Sequence, residues 1–186
     1  MRGFEVHSAF SRSRSVKLSA LIEARVTVSP DVVERKTLLQ ELAQIRDAQS
    51  EPELAYLAFY RAFKEDPNDV ELRKRLEGAA QAAGSWDELA HAYEAELPRI
   101  AEPSEAAKVS FTLGQLHEQR LKDAAQAVVF YEKAREFDPS VAQKSLVSLD
   151  KLYGQLNRAD KQAEALEALG DITEDPHEKV GLYFRL

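Results

Sequence analysis

The chain has 186 residues, 44% of them hydrophobic and 31% charged, with a net charge of −7. That is enough apolar material for a continuous core, and so acidic a balance gives little attraction to phosphate backbones, which sets nucleic acid aside as a first expectation. With no cysteine there is no disulfide framework and no thiolate metal site, which suits the cytoplasm, and no run of 18 apolar residues is present to span a membrane.

The first seventeen residues stand apart. Arg2, Arg12, Arg14 and Lys17 against Glu5 give a local charge of +3. Ser-Arg-Ser-Arg occupies the place where a secretory signal would carry its apolar region. Residues 1–17 therefore read as a disordered or loosely helical lead-in, with an Arg- and Ser-rich transit segment as the lesser alternative.

Beyond it, Ala, Leu, Glu, Lys, Arg and Gln dominate, and alternating β-branched runs are nearly missing, so the class is all-α. Proline marks the helix starts, because its missing N–H costs nothing in the first turn and its φ is already helical. Pro30, Pro52, Pro67, Pro103, Pro139 and Pro176 all fit that place. Ser29, Asp66, Asp138 and Asp175 precede four of them as candidate N-caps, and Ser50 with Glu53 and Asp175 with Glu178 have capping-box spacing. Gly84 reads as a helix stop just before a capping box at Ser85 and Glu88, whose places Asn157 and Asp160 fill one repeat later. Helices are predicted over 17–28, 31–47, 52–65, 68–83, 86–98, 104–120, 123–137, 140–155, 159–171 and 176–186. Links of a few residues force successive helices to run antiparallel, which makes a ladder of hairpins.

The ladder repeats. Phe59-Tyr60-Arg61-Ala62-Phe63-Lys64-Glu65-Asp66-Pro67 returns 72 residues later as Tyr131-Glu132-Lys133-Ala134-Arg135-Glu136-Phe137-Asp138-Pro139. Fixed-period similarity of this kind marks units that bury their apolar faces against their neighbours. Aromatic residues at helical spacing, among them Tyr56, Phe59, Phe63, Tyr93, Phe130, Tyr131 and Tyr153, are therefore expected in the core rather than on a base-stacking platform.

These units resemble tetratricopeptide repeats. In residues 36–69 the pattern of apolar, small and aromatic positions is filled by Leu39, Leu42, Ala43, Ala55, Phe59, Ala62 and Pro67. Residues 107–141 match through Leu113, Gly114, Ala127, Tyr131, Ala134 and Pro139, with one extra residue in the turn. Two intervening units depart from the pattern by placing Glu77 and Asp150 where a small residue is usual. The resemblance covers residues 18–186 and implies an α-solenoid of antiparallel helical hairpins wound as a right-handed superhelix. Residues 174–186 match the start of the helix at Ala101, and then the repeat is cut. That predicts either a fragment of a longer tandem array or a chain that self-associates through its C-terminal helix, where Leu182, Tyr183, Phe184 and Leu186 are apolar.

No P-loop, dinucleotide turn, HExxH or nucleophile elbow occurs, and the four histidines have no metal-ligand spacing. His91 beside Glu94 and His117 beside Glu118 read as solvated side chains. The chain is thus not expected to be an enzyme or to hold a cofactor or metal. The resemblance assigns an inner groove to the first helix of each hairpin, which places Gln40, Gln44, Lys74, Gln81, Lys108, Phe111, Gln115, Lys144 and Lys151 on it. Lysines recurring there on an acidic protein imply a partner protein or peptide with acidic groups, its backbone bonded by the glutamines. The favoured reading is a protein-interaction scaffold. A self-assembling structural module is the alternative, and a helical-repeat protein of RNA processing is the minor one.

Overall fold

In the computed structural model the backbone is described for residues 2–185 and the side chains for residues 14–185. Among these residues the fold is all-α, ten helices with no strand: α1 (Arg2–Val28), α2 (Val32–Ala48), α3 (Pro52–Glu65), α4 (Val70–Ala83), α5 (Trp86–Glu96), α6 (Pro103–Gln115), α7 (Ala124–Phe137), α8 (Ala142–Gln155), α9 (Ala159–Ile172) and α10 (Pro176–Tyr183). None of them is long and apolar enough to cross a membrane. The chain divides into two compact units, residues 1–92 and 93–186. α1 begins at Arg2 rather than at 17, and the lead-in reading falls largely on residues 1–13, whose side chains lie outside the described ones.

In the first unit α1, α2, α3 and α4 pack in sequence order. α3 supplies the filling: Ala55, Tyr56, Ala58, Phe59, Ala62 and Phe63 are all buried, and Phe63 is fully so. Ala62 beside the rings lets helices approach closely, while the aromatics occupy the space between layers. Arg35 holds Glu65 through two bonds of 2.9 and 2.6 Å, tying α2 to the end of α3.

Four expected caps move. Asn157 sits in the left-handed region at φ +55°, so Arg158 precedes α9 and no side chain caps it. Asp66 does not cap α4. Its carboxylate accepts from the Asn68 N–H and from Lys36, and Asp69 takes over by accepting from the Leu72 N–H at 3.0 Å. Burial alone would raise the Asp69 carboxyl, but the Leu72 N–H and the Lys36 ammonium hold it below its ordinary value. At α2 the cap is Asp31 rather than Ser29, whose hydroxyl bonds Glu34. Ser50 has φ +59°, so Glu51 precedes α3 and no side chain caps it. Asp175 caps α10 as expected, with Pro176 in the first turn, and Gly84 ends α4 at φ +72°.

In the second unit α6 packs on α7, α7 on α8, α8 on α9 and α9 on α10. Its core joins Ala127, Val128 and Tyr131 of α7 to Leu146, Leu149, Leu152 and Tyr153 of α8 and to Ala165 and Leu169 of α9. The helix expected over 104–120 does not stay α to its end: Leu116–Leu121 widen into a π turn, closed by Lys122 at φ +59°. A π turn absorbs one surplus residue without breaking the helix, which is the extra residue counted in this unit's sequence. Proline also shortens two predicted helices. α5 stops at Glu96 before a 3-10 turn over Leu97–Arg99, and α8 starts at Ala142 after a 3-10 turn over Pro139–Val141.

Candidate functional site

Of the residues expected on a groove, Gln44, Lys74, Gln81, Lys108, Gln115, Lys144 and Lys151 are exposed, while Gln40 and Phe111 are half-buried. Three of the four lysines meet glutamates of their own chain. Lys74 bonds Glu71 and Lys108 bonds Glu105 one helical turn away, and Lys151 reaches across from α8 to Glu118, each at 2.7 Å. Lys108 also helps to hold the Asp138 carboxyl below its ordinary value, after the larger effect of bonds from Ser140. Phe111 turns its ring to the hairpin interior, with its centroid 5.3 Å from that of Tyr131.

Two cavities open on the second unit. The smaller, about 330 Å³, lies beside the π turn and is lined by Glu118, Gln119, Lys122, Ala124, Lys151, Leu152 and Gln155. Its Glu118 accepts from the Tyr131 hydroxyl at 2.9 Å and from Lys151. Each carboxylate oxygen thus already accepts one bond, while Lys122 adds a positive charge to the wall.

The larger cavity, about 430 Å³, is bounded by α8 (Gln143, Val147, Asp150), by Leu169 and Thr173 near the end of α9, by α10 (Glu178, Gly181, Leu182) and by Arg185 just beyond it. Its position follows from local rules. Asn157, in the left-handed region at φ +55°, turns the chain between α8 and α9, and the Asp175 cap with Pro176 launches α10 immediately after α9. Val147, Leu169 and Leu182 give it an apolar wall. Asp150 is 7% exposed, yet it accepts from Arg185 Nη2 at 2.8 and 2.6 Å and from Gln162 Nε2 at 2.9 Å. A buried carboxylate is tolerable because these donors replace the water it lost.

Sequence reasoning marked Asp150 as out of pattern, but not its pairing with Arg185, 35 residues away. It also placed His117 in solvent. The structure buries it: His117 Nε2 lies 3.0 Å from Glu94 Oε1, its ring stacks on Phe130 at 5.3 Å, and Nδ1 has no hydrogen-bond partner. His91 is exposed, as read.

Tyr56, Tyr131 and Tyr153 have hydroxyls pushed above the ordinary tyrosine value, chiefly by burial, with Glu118 adding to the effect at Tyr131 and Glu132 at Tyr153, which rises to about 12. A raised folded-state value means that the neutral form belongs to the fold. Stability from these groups is therefore whole below the unfolded value of about 10 and is lost as pH climbs through and past about 12. Tyrosinate absorbance should rise in step with loss of helical dichroism above about pH 10. Full ionisation of every tyrosine at about pH 10 with helicity intact would contradict this packing.

No protein-family model and no curated protein matches the sequence. Solved structures do match. One MamA crystal structure superposes with a TM-score of 0.52 at 13% identity, covering 96% of this chain and 96% of that one. A second MamA structure gives 0.51 at 19% identity over 74% of this chain and 72% of that one. Pseudomonas aeruginosa pilF gives 0.50 at 16% identity over 96% of this chain and 78% of that one. At such identities the likeness establishes the fold: an all-α helical-repeat solenoid of the tetratricopeptide type.

Proposed function

We propose that this chain is a non-catalytic interaction scaffold that takes a segment of a partner protein along the first helices of its hairpins. The observation that carries this reading is the open cavity between α8 and α10, apolar at Val147, Leu169 and Leu182 and edged by charged groups. Its volume of about 430 Å³ falls in the range of sites that accept a ligand-sized group, here one large apolar side chain. Lys144, one turn before Val147 on α8, is the groove lysine placed to meet an acidic residue of the same segment. Lys74, Lys108 and Lys151 add less, since a partner must first displace Glu71, Glu105 and Glu118. Gln40, Gln44, Gln81 and Gln115 serve the partner's backbone in this reading. We place the chain in the cytoplasm, since a protein with no cysteine needs no oxidising compartment in order to fold. The net charge of −7 keeps RNA a distant alternative.

Selection of peptides from a display library on the wild-type protein, followed by affinity measurement on variants, tests the proposal. Val147→Arg, at a side chain 55% exposed, should leave helicity unchanged and weaken the selected peptides by about tenfold or more. Lys108→Glu combined with Lys144→Glu should weaken acidic peptides several-fold. Peptides that bind Val147→Arg as well as wild type would overturn the assignment of this cavity.

A further inference from the structure

We infer that Asp150 is a recognition site for an arginine side chain of the partner segment, and that Arg185 of this chain occupies the site when no partner is there. The inference rests on the cavity reading above and deepens it: the segment that covers the apolar wall also carries an arginine beside its large apolar residue. Asp150 lines the cavity between α8 and α10 and is 7% exposed. In the matching place of the previous hairpin Gly114 lies against the Tyr131 ring, whereas here a carboxylate stands where the small residue is usual. A buried ion pair contributes little net stability compared with an apolar filling, so packing alone gives no reason for a charge at this position. Recognition of a cation gives one.

The carboxylate is held ready for a guanidinium. Gln162 reaches it from α9 and donates Nε2 to Oδ1 at 2.9 Å, and Gly154, one turn after Asp150 on α8, leaves room for that amide, since a Cβ there would lie 3.2 Å from Nε2. Arg185 then meets the two carboxylate oxygens at 2.8 and 2.6 Å with a single nitrogen, Nη2. A guanidinium binds a carboxylate best with two nitrogens, one on each oxygen, so the contact within the chain leaves the stronger fork unused. Arg185 stands past the end of α10 at Tyr183, and rotation of its side chain clears the carboxylate without disturbing a helix. With Arg185 in place, Asp150 and Glu178 give the lining one negative charge in excess, and with Arg185 turned away they give two. The cavity therefore draws a cation, and its apolar wall suits the methylene stem of an arginine. Lysine carries a strongly hydrated point charge and has no planar fork, so it fits less well. Val147 precedes Asp150 by three residues on α8, which sets the apolar and ionic contacts one turn apart, within reach of neighbouring side chains on one segment.

Peptides selected by display on the wild-type protein should be enriched in arginine next to a large apolar residue. For one such peptide, Asp150→Asn keeps the shape of the site, removes its charge and should weaken binding about tenfold or more. Replacing the peptide's arginine by citrulline, its neutral isostere, should weaken binding by a similar factor, and the two changes together should cost little more than either alone, because they remove one contact. Lysine in the arginine's place should recover only part of the affinity. Arg185→Ala should tighten the arginine peptide several-fold by removing the internal competitor. Dichroism checks the fold of both variants, and if either does not fold, the citrulline and lysine peptides on the wild type decide the matter. Peptides that lose affinity to Val147→Arg but carry no arginine, or that bind equally well with citrulline or to folded Asp150→Asn, would overturn this inference and leave the cavity reading standing. A folded Arg185→Ala that binds no tighter would overturn the occupancy of the site by Arg185. Indifference of every selected peptide to Val147→Arg, or a library that yields no binder, would overturn both readings.

Discussion

Tyr131→Ala is expected to cost about 3–5 kcal/mol of stability, read from the urea midpoint. Tyr131 is 1% exposed, with Gly114 against its face and its hydroxyl on Glu118. Truncation therefore opens a cavity in the middle of the second unit's core and also releases a hydrogen bond to a charged acceptor. Tyr131→Phe separates the two effects and should cost about 1.5 kcal/mol, since it keeps the ring. Gly114 provides the control. A Cβ at that position would lie 2.7 Å from the Tyr131 ring, so Gly114→Ala should cost about 1–3 kcal/mol in the wild type and much less beside Tyr131→Ala. A cost below about 1 kcal/mol for Tyr131→Ala would mean that α6, α7 and α8 do not close on this ring.

Phe63→Ala in the first unit carries a similar expectation of about 3–5 kcal/mol, and Phe184→Ala supplies the contrast. Phe63 is 0% exposed, whereas Phe184 is 87% exposed. Phe184→Ala should stay within about 0.5 kcal/mol of the wild type. Hydrogen exchange resolves where the loss falls: amides of α2, α3 and α4 should lose protection in Phe63→Ala. Equal and small effects at the two phenylalanines would refute the burial pattern of α3.

The helices themselves were legible because Pro, Gly and apolar spacing act locally. Their boundaries were less so where one side chain had two uses. Asp66 has the chemistry of a cap, but Lys36 and the Asn68 N–H claim it, and Asp69 three residues on does the capping. The one-residue excess in residues 107–141 was countable, but nothing local says whether it becomes a loop or a π turn. The lysine pairings divide the same way. Glu71 with Lys74 and Glu105 with Lys108 stand at i, i+3 and were open to reading from spacing, while Lys151 with Glu118 depends on α8 lying beside the π turn. His117 looked like a surface histidine because its sequence neighbours are polar. Its burial comes from Phe130 and Glu94, thirteen and twenty-three residues away, which no local pattern encodes. The large cavity was visible only as one misplaced charge, Asp150.

The π turn at Leu116–Leu121 has one more consequence. By widening a single coil it takes up the surplus amino acid before α7 starts, and the Tyr131 ring lies against Gly114. A codon gained or lost at this point alters only the girth of one coil, and the periodicity downstream is insulated from it. Length variation in repeat proteins can therefore hide inside a helix, where a search for loops would miss it.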